Sequence, residues 1–103
     1  MEPRRRLFAL IEETPNLLWL LLTKRPQNLH ELFPLGTYLR DVPSNVWLGV
    51  TVENQKTADE RIPVLLDFPC AGRFVSCEPL LGMVDLKPWL HGPRRLDWVS
   101  VGM

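Results

Sequence analysis

The residues best suited to chemistry in this sequence are one lysine and two glutamates, each directly behind an apolar segment. Lys24 follows LLWLLLT, Glu53 follows VWLGVTV, and Glu78 follows FVSC. A lysine beside carboxylates can hold an anionic ligand, and it can carry protons where burial shifts its pKa. A carboxylate can accept hydrogen bonds from a ribose hydroxyl, an amine or the lysine itself. We therefore take Lys24, Glu53 and Glu78 as the candidate pocket residues.

Each of the three also has a purely structural interpretation, which the sequence leaves open. Lys24 and its neighbour Arg25 would suit a solvated turn before Pro26. Glu53 would complement the positive end of a helix that begins just behind it. Glu78 would form a structural ion pair.

The cysteines, histidines and tryptophans indicate no further site. Cys70 and Cys77 match no zinc or redox spacing, and Cys77 is expected to be a small buried residue. His30 and His91 have no partner at ligand spacing. The four tryptophans are expected to pack in the core and between helices and sheet, rather than to stack on bases. They are Trp19, Trp47, Trp89 and Trp98.

Apolar segments alternate with amphipathic ones, which predicts strands and helices in alternation. The predicted strands are Leu17–Leu22, Val46–Val52, Phe74–Cys77 and Trp98–Val101. The first strand has no polar alternation, which predicts burial on both faces.

Three helical regions are predicted between and before these strands. They cover Arg4–Glu13, a segment that starts at Pro26, and a segment that starts near Asn54, with Asn54 or Thr57 as its cap. Pro63 predicts a break in the last of these, into a short turn and a second helix. A further short helical turn is predicted over Leu86–Leu90.

The strands start about 24–29 residues apart, which is the length of a strand plus a crossover helix. Consecutive βα units with right-handed crossovers predict an α/β fold, a parallel sheet with helices outside, as in a barrel segment or a doubly wound sheet. Four strands do not close a barrel, which needs eight. We therefore expect residues 1–103 to form a single partial TIM-type barrel domain, truncated at both ends. The three candidate residues would then share the rim at the carboxyl ends of the strands.

Composition excludes several classes of function. The chain has 12 basic and 12 acidic residues, so no net charge directs it to nucleic acid or to an anionic membrane. Its longest apolar run, residues 17–22, is far shorter than the ~20 residues of a membrane helix. No export signal is present, so a cytoplasmic location is expected. The open edges of an apolar sheet predict self-association.

Four segments together resemble one known family. They are LLWLLLTKRPQNL (17–29), NVWLGVTVENQKTADERIPVLL (45–66), RFVSCEPLLGMVDL (73–86) and LDWVSVG (96–102). In this order they resemble an uncharacterised protein family of phages and bacteria with a three-cysteine motif, and related families are grouped with radical S-adenosylmethionine (SAM) enzymes. The resemblance extends from about Leu7 to Gly102.

The resemblance implies a radical-SAM-type barrel, in which three cysteines hold a [4Fe–4S] cluster and SAM takes the open iron. This chain has only Cys70 and Cys77, which do not match those cysteines. We therefore expect no cofactor on this chain itself, and a cluster and SAM in a full-length protein whose cysteines lie upstream of Met1. The implied function is the central segment of a radical-SAM-like protein, inactive by itself and of unknown substrate. The alternative is a non-enzymatic α/β module for protein interaction in a phage or mobile element.

Overall fold

The computed structural model describes residues 3–32, 42–77 and 83–101, and helices and strands alternate within these ranges. The elements are α1 (Pro3–Glu13), β1 (Trp19–Thr23), α2 (Leu29–Leu32), β2 (Val46–Thr51), α3 (Gln55–Asp67), β3 (Gly72–Cys77) and β4 (Trp98–Val101). Short 3-10 turns cover Pro26–Asn28 and Lys87–Trp89. The predicted alternation is confirmed. The end of the helix predicted after Pro26 lies outside the described residues.

The four strands form one parallel sheet in the order β1-β2-β3-β4. In the register, Thr23 of β1 lies beside Val50, and Thr51 of β2 lies beside Ser76. The last pair of strands continues this row, because Ser76 lies beside Ser100. All four carboxyl ends therefore lie at the same edge, which we call the carboxyl edge. The opposite edge is the amino edge.

The hydrophobic core lies on the face of the sheet that α3 covers. Alternate residues of β2 point to this face, and they pack with one side of α3. The fully buried members are Val46, Leu48, Val50, Ala58, Ile62 and Leu65. Burial of each of these side chains other than the small Ala58 contributes about 1.5–3 kcal/mol, so this layer fixes α3 over β2 and β3.

The opposite face of the sheet, which we call the open face, carries large side chains that do not belong to this core. They are Leu20, Leu22, Trp47, Phe74 and Trp98. The ring of Phe74 lies over Gly49, and the ring of Trp47 lies over Gly72. A Cβ at either glycine would overlap the ring above it, so the missing side chains let the aromatic rings lie flat on neighbouring strands.

The expectation that the first strand is buried on both faces is wrong. Only alternate residues of β1 are covered, because it is an edge strand: Leu20 and Leu22 are 42% and 50% exposed on the open face. The strand also starts later than predicted, since Leu17 donates its backbone N–H to Thr14 in a turn. Trp98 is likewise 48% exposed rather than packed in the core, because no strand follows it at this edge within the described residues.

The predicted break at Pro63 is also wrong, since α3 continues through it. Proline removes one backbone donor, but Ile62 and Leu65 on either side are fully buried against the sheet. Pro63 itself lies on the exposed side. The packing of its neighbours therefore holds the helix in one piece. None of the described helices is long and apolar enough to cross a membrane.

Candidate functional site

The carboxyl edge collects polar side chains from the ends of neighbouring strands. Lys24 directly follows β1, and the register places it level with Thr51 at the end of β2. Glu53 lies two positions further along the chain. Glu78 follows β3 but lies outside the described residues. Of the three candidates, Lys24 and Glu53 are therefore placed on adjacent strand ends.

Glu53 is held by an arginine that sequence analysis did not single out. Arg61 Nη1 donates to Glu53 Oε2 at 3.1 Å. The same nitrogen donates to the backbone oxygen of Thr51 at 2.8 Å and to its Oγ1 at 3.2 Å. The side chains of Arg61 and Glu53 are 21% and 18% exposed. Arg61 thus ties α3 to the end of β2 and keeps one side of the Glu53 carboxylate facing a cation.

The turn between β2 and α3 is fixed by a capping box. Asn54 Oδ1 accepts from the Thr57 backbone N–H at 2.9 Å, and Thr57 Oγ1 accepts from the Asn54 N–H at 3.2 Å. Thr57 Oγ1 also accepts from the Glu53 N–H at 3.0 Å. Both predicted cap residues therefore act together, and they fix the backbone that carries Glu53.

The first turn of α3 also anchors the segment between β3 and β4. Gln55 Oε1 accepts from the Asp85 backbone N–H at 2.7 Å, and its Nε2 donates to the Asp85 oxygen at 3.3 Å and to Asp59 Oδ1 at 2.9 Å. This amide therefore joins the start of α3 to the segment that leads to β4.

Lys24 is exposed, and its ammonium group makes no hydrogen bond or ion pair with the other described residues. Before it, Thr23 Oγ1 accepts from the Arg25 backbone N–H at 3.0 Å, which tightens the turn. Pro26 behind this turn is fully buried. The lysine therefore extends from a fixed turn and is available to an anionic group.

A row of hydroxyl groups, which sequence analysis missed, crosses the sheet at this edge. Thr51, Ser76 and Ser100 are register partners on three adjacent strands. Alternation along each strand places them on the same side of the sheet as the aromatic rings of the open face. The open face thus changes from apolar to hydroxyl-bearing toward the carboxyl edge. Each hydroxyl stands alone in its strand sequence, so only the register reveals the row.

Arg61 could have been found from the helical pattern. It lies three positions after Ala58 and four before Leu65, so it shares the side of α3 that faces the sheet. A cation on that side, near the end of a strand that continues into Glu53, is a signal for an ion pair.

The amino edge holds a second polar cluster around Arg73. Its side chain is buried, and it donates from Nε to the Leu65 oxygen at 3.3 Å and from Nη2 to the Phe68 oxygen at 2.7 Å. Its backbone N–H donates to Asp97 Oδ2 at 2.9 Å. These bonds join the end of α3, the start of β3 and the start of β4.

A cavity of about 430 Å³ opens beside this cluster. Its walls are Asp67, Pro69, Cys70, Arg73, Pro93 and Arg94. Two of these wall residues, Arg94 and Asp67, form an ion pair of 3.2 Å, but both side chains are largely exposed. Burial raises the pKa of the Cys70 thiol, although the nearby Arg73 charge opposes this. Cys70 Sγ lies 3.4 Å from the Gly72 oxygen, to which it donates, so the thiol is protonated and bonded at neutral pH.

The two cysteines do not fit an iron–sulfur cluster. Cys70 precedes β3 at the amino edge, whereas Cys77 ends the strand at the carboxyl edge. These ends are roughly 16 Å apart in an extended strand, and a cluster needs three or four thiolates around one centre. Cys77 is buried in the core, as predicted, and burial raises the pKa of its thiol. Across the described residues, no group of three or more His, Cys, Asp or Glu could hold a metal ion.

Comparison with known proteins gives a family and no relative of known activity. No curated protein and no solved structure matches the chain. A family model, described as Protein of unknown function (DUF5131), matches residues 1–103. Since that match covers every position of the sequence, this chain belongs to that uncharacterised family.

Proposed function

We propose that this chain forms the central βα units of a radical-SAM-like barrel and that its carboxyl edge supplies part of the ligand-binding rim. The observation that carries this proposal is the polar carboxyl edge itself: Lys24, the Glu53–Arg61 pair and the hydroxyl row lie together where parallel α/β folds bind ligands.

The strand order supports a barrel segment over a doubly wound sheet. A doubly wound sheet reverses its strand order at a switch point. Here β1 to β4 follow one another without reversal, and α3 covers one face only. Successive parallel units with helices on one side are the pattern of a (β/α)₈ barrel wall.

The rim residues fit a ligand that carries both an anionic group and hydroxyl or ammonium groups. The exposed ammonium group of Lys24 would bind a carboxylate or phosphate. Glu53 would accept hydrogen bonds from an ammonium or a ribose hydroxyl, while the contact with Arg61 holds its carboxylate in place. SAM carries a carboxylate, an ammonium group and a ribose, so it belongs to this ligand class.

This chain does not itself supply the thiolates for a cluster, so no radical step is assigned to its residues. In the proposal, these residues bind the ligand and orient it. Glu78 is retained as a third rim candidate, because it follows β3 as Glu53 follows β2.

No cluster-bound cofactor is expected on this chain, but its rim residues should bind SAM as a ligand, and a calorimetric titration of the chain with SAM tests this proposal. We expect saturable binding that Lys24→Ala and Glu53→Gln each weaken by about tenfold, the effect of one charged hydrogen bond. The matched controls are Arg95→Ala and Asp67→Asn, which remove one charge of the same sign from the amino edge and should leave binding unchanged. Absence of binding, or equal loss in rim and control variants, would contradict the proposal.

The apolar open face favours one alternative function, a non-enzymatic module that acts by protein interaction. Half-exposed leucines and tryptophan on this face offer area for a partner. Under this alternative, Lys24→Ala and Glu53→Gln leave the partner bound, whereas a charge at Leu22 releases it. A pull-down that compares these variants separates the two functions.

A further inference from the structure

The side chains of the open face change from apolar to polar between two successive register rows. In the lower row, Phe74 lies beside Trp98, and their ring centroids are 6.0 Å apart. Two positions further along each strand, toward the carboxyl edge, lies the hydroxyl row of Thr51, Ser76 and Ser100. The apolar rings below this row offer it no hydrogen-bond acceptor from that side. The bonds of the hydroxyl groups must therefore be made toward the carboxyl edge.

The hydroxyl row has donors that the other described residues do not use. Thr51 Oγ1 accepts from Arg61 Nη1 at 3.2 Å, which leaves its own proton for another acceptor. The Oγ atoms of Ser76 and Ser100 make no hydrogen bond with the rest of the described residues. Since no buried side-chain oxygen or nitrogen among the described residues lacks a partner, these two hydroxyl groups are reached by solvent. A ligand at the carboxyl edge can therefore bond to them.

Lys24 adds a positive charge at one end of the hydroxyl row. It follows Leu22 by two positions, so strand alternation places it on the open face, and the register places it level with Thr51. Its ammonium group has three donors and is not paired with another described residue. Glu53, two positions after Thr51, would repel an anion, but Arg61 balances its charge at 3.1 Å. The row and Lys24 together thus suit an anion with several acceptor oxygens.

We propose that Lys24 and the hydroxyl row bind the phosphate group of a phosphate monoester. Such a group carries about −1.5 to −2 charges at neutral pH and has three strong acceptor oxygens. Neighbouring strands lie ~4.8 Å apart, so a phosphate between Thr51 and Ser76 can accept from both at ~2.7 Å. Its third oxygen accepts from the ammonium group of Lys24. A carboxylate has two oxygens and one charge, and would leave part of this donor set unused.

Ser100 extends the site beyond the phosphate itself. It lies beside Ser76, one strand further from Lys24. This position suits a bond to a hydroxyl of the group that is esterified to the phosphate, while Glu53 stays available to SAM. The ligand class is therefore a small hydroxylated phosphate ester. Its role as the substrate of the rim rests on the proposed function, whereas the phosphate site does not.

Calorimetric titrations of the full chain with inorganic phosphate, ribose 5-phosphate and ribose test the proposal. We expect both phosphates to bind saturably and ribose not to bind. Lys24→Ala and Ser76→Ala should each weaken phosphate binding at least about tenfold, the effect of one hydrogen bond to a charged group. Ser44→Ala is the matched control, because it removes an exposed hydroxyl before β2 at the amino edge. This variant should bind phosphate as the wild type does.

Ser100→Ala and a parallel titration with SAM give each result one meaning. Ser100→Ala should weaken ribose 5-phosphate more than inorganic phosphate, and urea unfolding verifies that every variant is folded. If phosphate does not bind, or if Ser44→Ala weakens it as much as Ser76→Ala does, the proposal is overturned, and SAM binding still supports the proposed function. Phosphate binding that requires Ser76, without binding of SAM, supports the phosphate site and contradicts the proposed function.

Discussion

The two ends of α3 are held to the sheet in different ways. At the carboxyl edge, the helix start is capped by its own neighbours, Asn54 and Thr57, and Arg61 reaches back to Glu53. At the amino edge, the helix end receives two hydrogen bonds from Arg73, a residue of the next strand. Residues within one or two helical turns therefore hold the start of α3, whereas a residue of β3 holds its end.

This difference separates a region suited to ligands from one suited to stability. Arg73 is buried and donates to carbonyl oxygens of the helix, whose dipole is negative at this end. Arg61 shares its charge with a carboxylate, and the pair is partly exposed. A ligand can compete for groups at the carboxyl edge, whereas the Arg73 guanidinium is already bonded to two carbonyl oxygens at the end of α3.

The largest effect should follow from Arg73→Met, which keeps the aliphatic volume and removes both hydrogen bonds to the helix end. We expect a loss of about 3 kcal/mol, because these are buried hydrogen bonds from a charged group. Urea unfolding at one protein concentration measures it. Arg73→Lys, which keeps the charge with different geometry, should lose less. Equal stability of Arg73→Met and wild type would show that the helix end needs no cap from β3.

Loss of the local cap should have a smaller effect. Asn54→Ala removes the acceptor for the Thr57 backbone N–H, and we expect a loss of about 1 kcal/mol. The same urea experiment measures it, with Asn54→Ser as a control that keeps a capping oxygen. A loss larger than that of Arg73→Met would reverse the comparison between the two ends.

The ion pair itself should contribute less than about 1 kcal/mol to stability, since partly exposed pairs contribute little. Arg61→Met should cost more than Glu53→Gln, because it also removes the hydrogen bonds to Thr51. Arg61→Met and Glu53→Gln are the variants, and their double mutant measures the coupling between the two side chains. A coupling as large as the Arg73→Met loss would mark Glu53 as a structural residue rather than a rim residue.

The smallest effect is a loss of stability at alkaline pH. Burial raises the pKa of the Cys70 thiol in the folded protein above its value in the unfolded chain. The protonated thiol therefore contributes fully to the stability of the fold below the unfolded pKa. This contribution is lost as pH rises through the folded pKa. Thermal unfolding from neutral to alkaline pH should show a decline that is shallower in Cys70→Ser. A steeper decline in that variant would contradict the assignment.

Local signals predicted most of the fold. The apolar segments gave β2 and β4 closely, and the cap at Asn54 followed from residue type alone. The errors came from long-range packing. The helix-breaking tendency of Pro63 was outweighed by the burial of Ile62 and Leu65 against the sheet. The position of β1 at the edge of the sheet left Leu20 half exposed. Neither condition is visible before the neighbours of each element are known.

The sequence predicted where two of the candidate residues lie, while their role in a site stays a prediction. The principle that ligands bind at strand carboxyl ends placed Lys24 and Glu53 on adjacent strand ends, as the register shows. The row of Thr51, Ser76 and Ser100 depends on register between strands, which a single sequence does not specify. The hydrogen bonds of Arg73 join residues on different elements, so no spacing rule could have found them.

The uninterrupted strand order also has a consequence for how the molecule is made. Each described strand pairs with the next one along the chain, and paired residues are separated by only about 25 positions. Each loop closure therefore has a similar and modest entropic cost. None of these described strands needs a segment from far along the chain in order to pair. During synthesis on the ribosome, the sheet can therefore grow one βα unit at a time, in the order in which the units emerge.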